Sequence, residues 1–301
     1  MRRQLLAALP GATPAGEKRR TVYDAKHHTT LPGTLVRAEG DAASPDVAVN
    51  EAYDGAGETY DLYFDIYGRN SIDDKGMRLD SSVHYGSGYD NAFWNGTQMV
   101  YGDGDGKFFA RFTKAVDVIG HELTHGVTAH EANLDYQNQP GALNESFSDI
   151  FGSLVKQRTL KQTAQQADWL IGEGLFTPQV NGVALRSMKA PGTAYDDPVL
   201  GKDPQPANMK DYVETTDDDG GVHINSGIPN HVFYLVASAI GGFAWEKTGK
   251  IWYVALTEKL RRDSDFAATA SLTAAAAGEL FGGGGTEEKA IRDAWRQVGV
   301  T

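Results

Sequence analysis

The 301-residue chain contains no cysteine. That absence excludes disulfide staples, a thiol nucleophile and thiolate-held metal, so any bound metal must rest on imidazole and carboxylate. Positive charge is also scarce, with 28 Lys+Arg against 40 Asp+Glu and a net charge of −12. A field of that sign repels phosphate, and no nucleic acid is expected as a partner. Long apolar runs are missing as well. The longest stretch without an acidic, basic or histidine side chain, Val232–Trp245, is shorter than the about 20 residues of a membrane span and holds two adjacent glycines. It reads as a buried helix, and no membrane partner is expected. The early apolar stretch Leu5–Leu9 stops at Pro10, short of the roughly 7–15 residues of a signal core, so no export signal is visible. With 41% hydrophobic residues and 11 prolines, the chain can bury a large core, and its length suggests roughly two domains of about 150 residues each.

Residues 1–20, mixing Pro and Gly with Lys18-Arg19-Arg20, read as a leader remnant or a mobile arm. Residues 21–133 form an N-terminal lobe. Its short runs Val83-His84-Tyr85 and Gln98-Met99-Val100-Tyr101 read as strands between turns. Val47–Tyr67 carries Ala52, Tyr53, Ala56, Tyr60, Phe64 and Tyr67 at helical spacing. The helical period of Thr113–Glu131 closes that lobe. Residues 134–301 form a mainly helical lobe, with expected helices over Gly141–Arg158, Asn230–Ile240, Ile251–Arg262, Phe266–Leu280 and Thr286–Val298. The expected fold is α+β and two-lobed, sheet-rich first and helical second, with a cleft between.

His121-Glu122-Leu123-Thr124-His125 carries the chemistry. On a helix, residues four apart share a face, so both imidazoles can reach one zinc ion while Glu122 points beside it toward an open coordination position. A hydrolytic zinc site needs a third protein ligand. Glu145 and Asp149, in Asn144-Glu145-Ser146-Phe147-Ser148-Asp149, lie on a following helix and share one face. One can complete the ligand set while the other accepts the second N–H of a ligating histidine. Ordinary surface carboxylates fit poorly there, because Ile150, Phe151 and Leu154 around them are apolar.

These two motifs are followed by Leu185-Arg186-Ser187-Met188 and by Asp218-Asp219-Gly220-Gly221-Val222-His223-Ile224-Asn225-Ser226-Gly227. They are preceded by Asn91-Ala92-Phe93-Trp94 and Tyr101-Gly102-Asp103-Gly104-Asp105-Gly106. From about Tyr23 to the C-terminus, the order and spacing resemble the thermolysin family of zinc metallopeptidases, and the short leader is similar to its protealysin-like branch. The resemblance implies zinc held by His121, His125 and Glu145, with Asp149 and Asn144 behind the ligands. Glu122 would be the general base, His223 and Tyr136 the donors to the developing oxyanion, and Asp218 the partner that orients His223. Arg186 would grip a substrate carbonyl, and Asn91 and Ala92 would pair with substrate main chain. Phe109, Phe112, Val118, Ile171 and Leu185 would line an apolar pocket on the leaving-group side. The implied activity is endopeptidase cleavage before a bulky hydrophobic residue. The implied partners are a peptide or protein substrate and the chain's own leader or a proteinaceous inhibitor. The resemblance also implies a secreted zymogen acting as a monomer. A zinc aminopeptidase built on the same helix motif, and a non-catalytic protein using zinc as a support, are the rival readings.

Departures from the family bear on calcium. Asp117, Asp168 and Glu173 match acidic calcium ligands, but Lys156 and Leu170 stand where two further acids are expected, and an ammonium there would replace the ion. Val183 likewise takes the place of an Asp. Calcium binding is therefore expected to be reduced, with Asp117, Asp168 and Glu173 as residual ligands. The Asp103–Asp105 loop lacks a closing acid and reads as a tight turn. His27, His28, His84, His130 and His231 have no partner pattern and receive no role.

Overall fold

The computed structural model describes residues 16–300. Five short strands, β1 (Arg20–Asp24), β2 (Thr34–Ala38), β3 (Leu79–Val83), β4 (Ala92–Trp94) and β5 (Met99–Tyr101), form one sheet in the order β2-β1-β3-β5-β4. The inner strands run parallel, and β2 and β4 close the two edges antiparallel. β4 is thus an edge strand. Helix α1 (Val47–Asp61) packs on β1 and β3, capped by Asp46, whose side chain accepts the N–H of Ala48. It continues through a π-helical turn, Leu62–Ile66, and so covers nearly the whole expected helix.

Two expectations need correction in this lobe. The run Val83-His84-Tyr85 is not a strand throughout: β3 stops at Val83, because His84 turns the chain with φ 56°. The basic cluster, expected in a leader remnant or mobile arm, is also fixed in place. Lys18 Nζ pairs with Asp61 at 2.7 Å, and Arg20 opens β1 with its fork on Glu39 and its guanidinium 3.7 Å over the Tyr53 ring. The rest of the expected arm, residues 1–15, lies outside the described residues.

Helices α2 (Val116–His130) and α3 (Asn138–Leu160) position the site. A 3₁₀ turn, Phe112–Lys114, leads into α2. α3 begins before the expected Gly141, since Pro140 in its first turn forfeits no hydrogen bond. The two helices approach closely where Gly120 meets Gly152. A Cβ on Gly152 would stand 2.2 Å from the Asp117 carbonyl oxygen, and one on Gly120 3.0 Å from Gly152 Cα. Ile119, Leu123 and Val127 of α2 and Phe147, Ile150, Phe151 and Leu154 of α3 fill this crossing, fully buried. Each contributes about 1.5–3 kcal/mol of burial free energy.

Beyond α3 come two small ladders, β6 (Leu170–Ile171) with β7 (Arg186–Ser187) and β8 (Asp196–Asp197) with β9 (Gly201–Lys202). Helices α4 (Asp218–Asn225), α5 (Gly227–Ile240), α6 (Lys247–Val254), α7 (Phe266–Phe281) and α8 (Thr286–Gln297) complete the second lobe. Expected helix Ile251–Arg262 starts earlier and ends in a π-helical turn, Ala255–Lys259. Among the described residues, no helix is long and apolar enough to cross a membrane.

Candidate active site

The α2–α3 crossing brings three ligand atoms together. His121 Nε2 lies 3.0 Å from His125 Nε2, and each faces a Glu145 oxygen at 3.4 Å. The outer nitrogen of each ring is already committed: His121 Nδ1 donates to Asp149 Oδ1 and His125 Nδ1 to Asn144 Oδ1, both at 2.8 Å. Against burial, Asp149 and Glu145 raise the His121 pKa to about 10, so a bound cation would take the place of a proton. Once deprotonated, rings held this way turn both Nε2 lone pairs toward one point beside a buried carboxylate, and Glu145 Oε2 has no hydrogen-bond donor. Lone pairs converging in this way call for a cation, and the N₂O donor set suits zinc. His121, His125 and Glu145 are the one metal-competent cluster among the described residues.

Around this point the charges are sorted. Burial works to raise the Glu145 carboxyl, but His125, His121 and His223 hold it well below its ordinary value. Burial likewise opposes ionised Asp149, yet Arg186 and His121 keep it charged. Arg186 reaches Asp149 through two parallel bonds, Nε to Oδ2 at 2.8 Å and Nη2 to Oδ1 at 2.7 Å. Glu122, one residue beyond His121, accepts the Trp94 backbone N–H at 3.2 Å. Its pKa is raised by burial, against the pull of the two imidazoles.

Two side chains arrive from outside the crossing. Tyr136, at the end of the turn between α2 and α3, donates its hydroxyl to Glu145 Oε1, and its Oη lies 3.2 Å from His223 Nε2. Burial and the Glu145 charge push its phenol well above the ordinary tyrosine value, so it stays a donor. His223 is delivered by an abrupt turn: Asp218, Asp219, Gly220 and Gly221 all have φ between 50° and 86°, and only then does α4 become helical. A Cβ at Gly220 would stand 2.2 Å from Asn138 Oδ1, which reserves the position for glycine. The turn folds Asp218 back onto His223, Oδ1 to Nδ1 at 2.5 Å and Oδ2 to the backbone N–H at 2.8 Å.

The expected substrate contacts divide. Ala92 is buried on edge strand β4, and Asn91 just before it is exposed. Of the five expected pocket residues, Phe112, Val118 and Ile171 are buried underneath, whereas Phe109 and Leu185 are partly exposed. The Phe109 ring leans on Phe112 and Phe176, with centroids 5.8 and 5.5 Å apart.

Lys156 of α3 reaches into the trio read as residual calcium ligands. Its Nζ lies 2.8 Å from Asp168, 3.3 Å from Glu173 and 3.7 Å from Asp117, and donates to the Leu170 carbonyl at 3.4 Å. In the Gly-Asp loop, the Asp105 carboxylate accepts the N–H groups of Lys107, Phe108 and Phe109, an Asx-type turn.

Several residues near the site were not singled out from the sequence. Ser148 Oγ lies 3.1 Å from His125 Nδ1, Trp94 holds Glu122 through its backbone, and Asn230 donates to Asp149. Asn230 left one usable signal, a polar side chain among the apolar residues Ile228, Val232 and Phe233. His84, given no role, bridges Asp103 and Asp46.

Comparison with known proteins places the chain in a family. Residues 14–129 match the model of the thermolysin metallopeptidase catalytic domain, and residues 132–300 that of its alpha-helical domain. An extracellular metalloprotease of Pectobacterium carotovorum subsp. carotovorum is 54% identical over 95% of this chain and 82% of its own length. A thermolysin of Alicyclobacillus acidocaldarius subsp. acidocaldarius is 44% identical over 92% of this chain and 50% of its own. The solved precursor of protealysin, a metalloproteinase from Serratia proteamaculans, superposes with a TM-score of 0.95 at 58% identity, covering 97% of this chain and 91% of that one. The chain therefore belongs to the thermolysin family of metallopeptidases and is one of its zinc metalloendopeptidases.

Proposed function

We propose that this chain hydrolyses internal peptide bonds on the N-terminal side of bulky hydrophobic residues, with Glu122 moving the proton. The observation that carries this reading is the convergence of two histidine lone pairs on Glu145, with a raised-pKa carboxylate beside them. One zinc ion bound there would supply a Lewis acid and a water of lowered pKa, about 7 in zinc hydrolases. The chain's own groups do the rest. Glu122 takes a proton from water and returns it to the leaving amine, a task suited to a carboxyl whose pKa burial raises. Tyr136 and His223 donate to the oxygen that gains charge, and Asp218 holds the His223 ring for it.

Substrate is held extended along the free edge of β4, with Asn91 and Ala92 bonding its main chain. Arg186 spends Nε and Nη2 on Asp149, which leaves Nη1 for a substrate carbonyl. The residue after the scissile bond rests on Phe109 and Leu185, with Phe112, Val118 and Ile171 as the apolar floor. We divide the chain between residues 133 and 134 into a lobe bearing the zinc helix and a helical lobe. We also take it to be a secreted monomer, made as a zymogen with its own leader and binding less calcium than its family. The extracellular name of the Pectobacterium relative and the precursor state of the protealysin structure support secretion and a leader.

The test is the purified protein with an end-blocked, internally quenched peptide carrying one Leu or Phe. Expected are about one zinc per chain and a single cut before that residue, since an aminopeptidase cannot start on a blocked end. No cleavage by zinc-loaded protein, or cleavage only after unblocking, refutes the reading.

A further inference from the structure

Asp149 is a fully buried carboxylate on which four elements meet. Oδ1 accepts from His121 of α2 at 2.8 Å and Arg186 of β7 at 2.7 Å. Oδ2 accepts from Arg186 Nε and from Asn230 Nδ2 of α5, both at 2.8 Å. A carboxylate offers about four acceptor positions, and all are filled. Three of the four donors belong to residues with a proposed part in metal or substrate binding. The fourth, Asn230, touches neither.

Packing does not explain an amide at this position. Asn230 has no exposed surface, and the inward neighbours on its helix, Ile228, Val232, Phe233 and Val236, are all apolar and fully buried. Its Oδ1 has no partner, and an unpaired buried acceptor costs stability. The amide is oriented by the carboxylate: turning it over would aim Oδ1 at Asp149. The next residue, His231, sets its Nδ1 3.2 Å from the Met188 carbonyl, so the same turn of α5 also holds the chain just beyond Arg186.

We propose that Asn230 is a positioning residue that locks the Asp149 carboxylate in the one plane where it serves His121 and Arg186 at once. Without that fourth donor, Oδ2 is held by Arg186 alone, and the carboxylate can rotate with the guanidinium. His121 then loses the fixed acceptor that presents its Nε2 to the metal, and Arg186 loses the fixed direction of Nη1. One amide thus couples metal retention to substrate grip. This role rests on a metal held by His121, His125 and Glu145, as proposed above.

The experiment compares zinc-loaded wild type, Asn230→Leu and Phe233→Leu. Phe233 is fully buried on the same helix and reports a packing loss alone. Three quantities are read: the rate of zinc release to a chelator, KM separately from kcat, and the unfolding midpoint of the zinc-stripped protein. Asn230→Leu is expected to release zinc about 10- to 100-fold faster and to raise KM, as changes behind a ligating histidine do. Phe233→Leu is expected to lower the midpoint and leave zinc release and KM at wild-type values. If Asn230→Leu matches Phe233→Leu, with only the midpoint moved, the amide is structural and the proposal is overturned. Should Asn230→Leu not fold, Asn230→Ser carries the same comparison, with wild-type zinc release again overturning it. Wild-type protein that binds no zinc would instead refute the metal-site reading itself, before any variant is compared.

Discussion

Trp94, on the last strand of the sheet, gives its backbone N–H to Glu122 Oε2 at 3.2 Å. The carboxylate is thereby tied to the edge along which substrate is proposed to lie, and not to the metal ligands. Glu122→Gln keeps the shape of the side chain and removes its basicity. Turnover is expected to fall about 10²–10⁴-fold, the range for losing a general acid–base group. Zinc content should stay at wild type, because the three ligand atoms are untouched. Steady-state rates beside metal analysis on the same sample decide it, and a variant that loses zinc would make Glu122 a ligand.

What could be read from the sequence depended on how local the signal was. His121 and His125 share a helix face by spacing alone, and so do Glu145 and Asp149. Their meeting depends on the Gly120–Gly152 approach, and two glycines in separate helices carry no mark of facing each other. His223 comes from a turn of four consecutive residues at positive φ, and Tyr136 from a turn flanked by Asn133 and Asn138 at positive φ, so only the family likeness pointed to them. Strands β1 and β2 were illegible for a different reason. Thr34, Leu35 and Val36 on the edge strand are all exposed, so no alternation between buried and exposed side chains marks it. Asn230 and His84 act through partners distant in sequence, and period and composition are blind to such contacts.

Tyr136 Oη lies 3.2 Å from His223 Nε2, and both are proposed to donate to the same developing charge. Tyr136→Phe removes only the hydroxyl. It is expected to lower kcat by about 10²–10³-fold with little change in KM, as loss of one oxyanion donor does. The double variant Tyr136→Phe/His223→Ala should lose less than the two single losses combined, because both donors serve one oxygen. Full additivity in a double-mutant cycle would separate their roles.

His84 ties the cap of α1 to the Gly-Asp loop, with Nε2 on Asp46 and Nδ1 on Asp103, at 2.8 and 2.9 Å. The hydrogen bond to Asp103, with help from Asp46 and against burial, pushes its pKa up from 6.5 to about 9. A folded-state pKa above the unfolded value means that the folded protein binds the extra proton. The contribution is therefore complete below about 6.5 and is lost as pH rises through about 9. Urea midpoints taken from pH 6 to pH 10 should fall across that window for wild type. The fall should be smaller in His84→Gln, whose side chain does not titrate there, and equal slopes would remove His84 as the cause.

Lys156 takes part in no proposed chemistry, yet its ammonium sits between Asp168 at 2.8 Å, Glu173 at 3.3 Å and Asp117 at 3.7 Å. Burial alone would lower its pKa, but the three carboxylates outweigh it and raise it. Asp117 is itself fully enclosed, and burial pushes it up to about 6 against the pull of Lys156. Removing the ammonium leaves that acid without a partner. Lys156→Met is expected to destabilise the fold by about 2–4 kcal/mol, somewhat under the usual cost of breaking a buried pair, since Asp117 can take up a proton and the other two acids reach solvent. Lys156→Glu goes further and rebuilds a cluster of acids around the Leu170 carbonyl, a donor set suited to calcium. Its thermal midpoint should fall in calcium-free buffer and recover when calcium is added, while wild type responds to neither change. A wild-type midpoint that rises with calcium would show that the ammonium does not take the place of the ion.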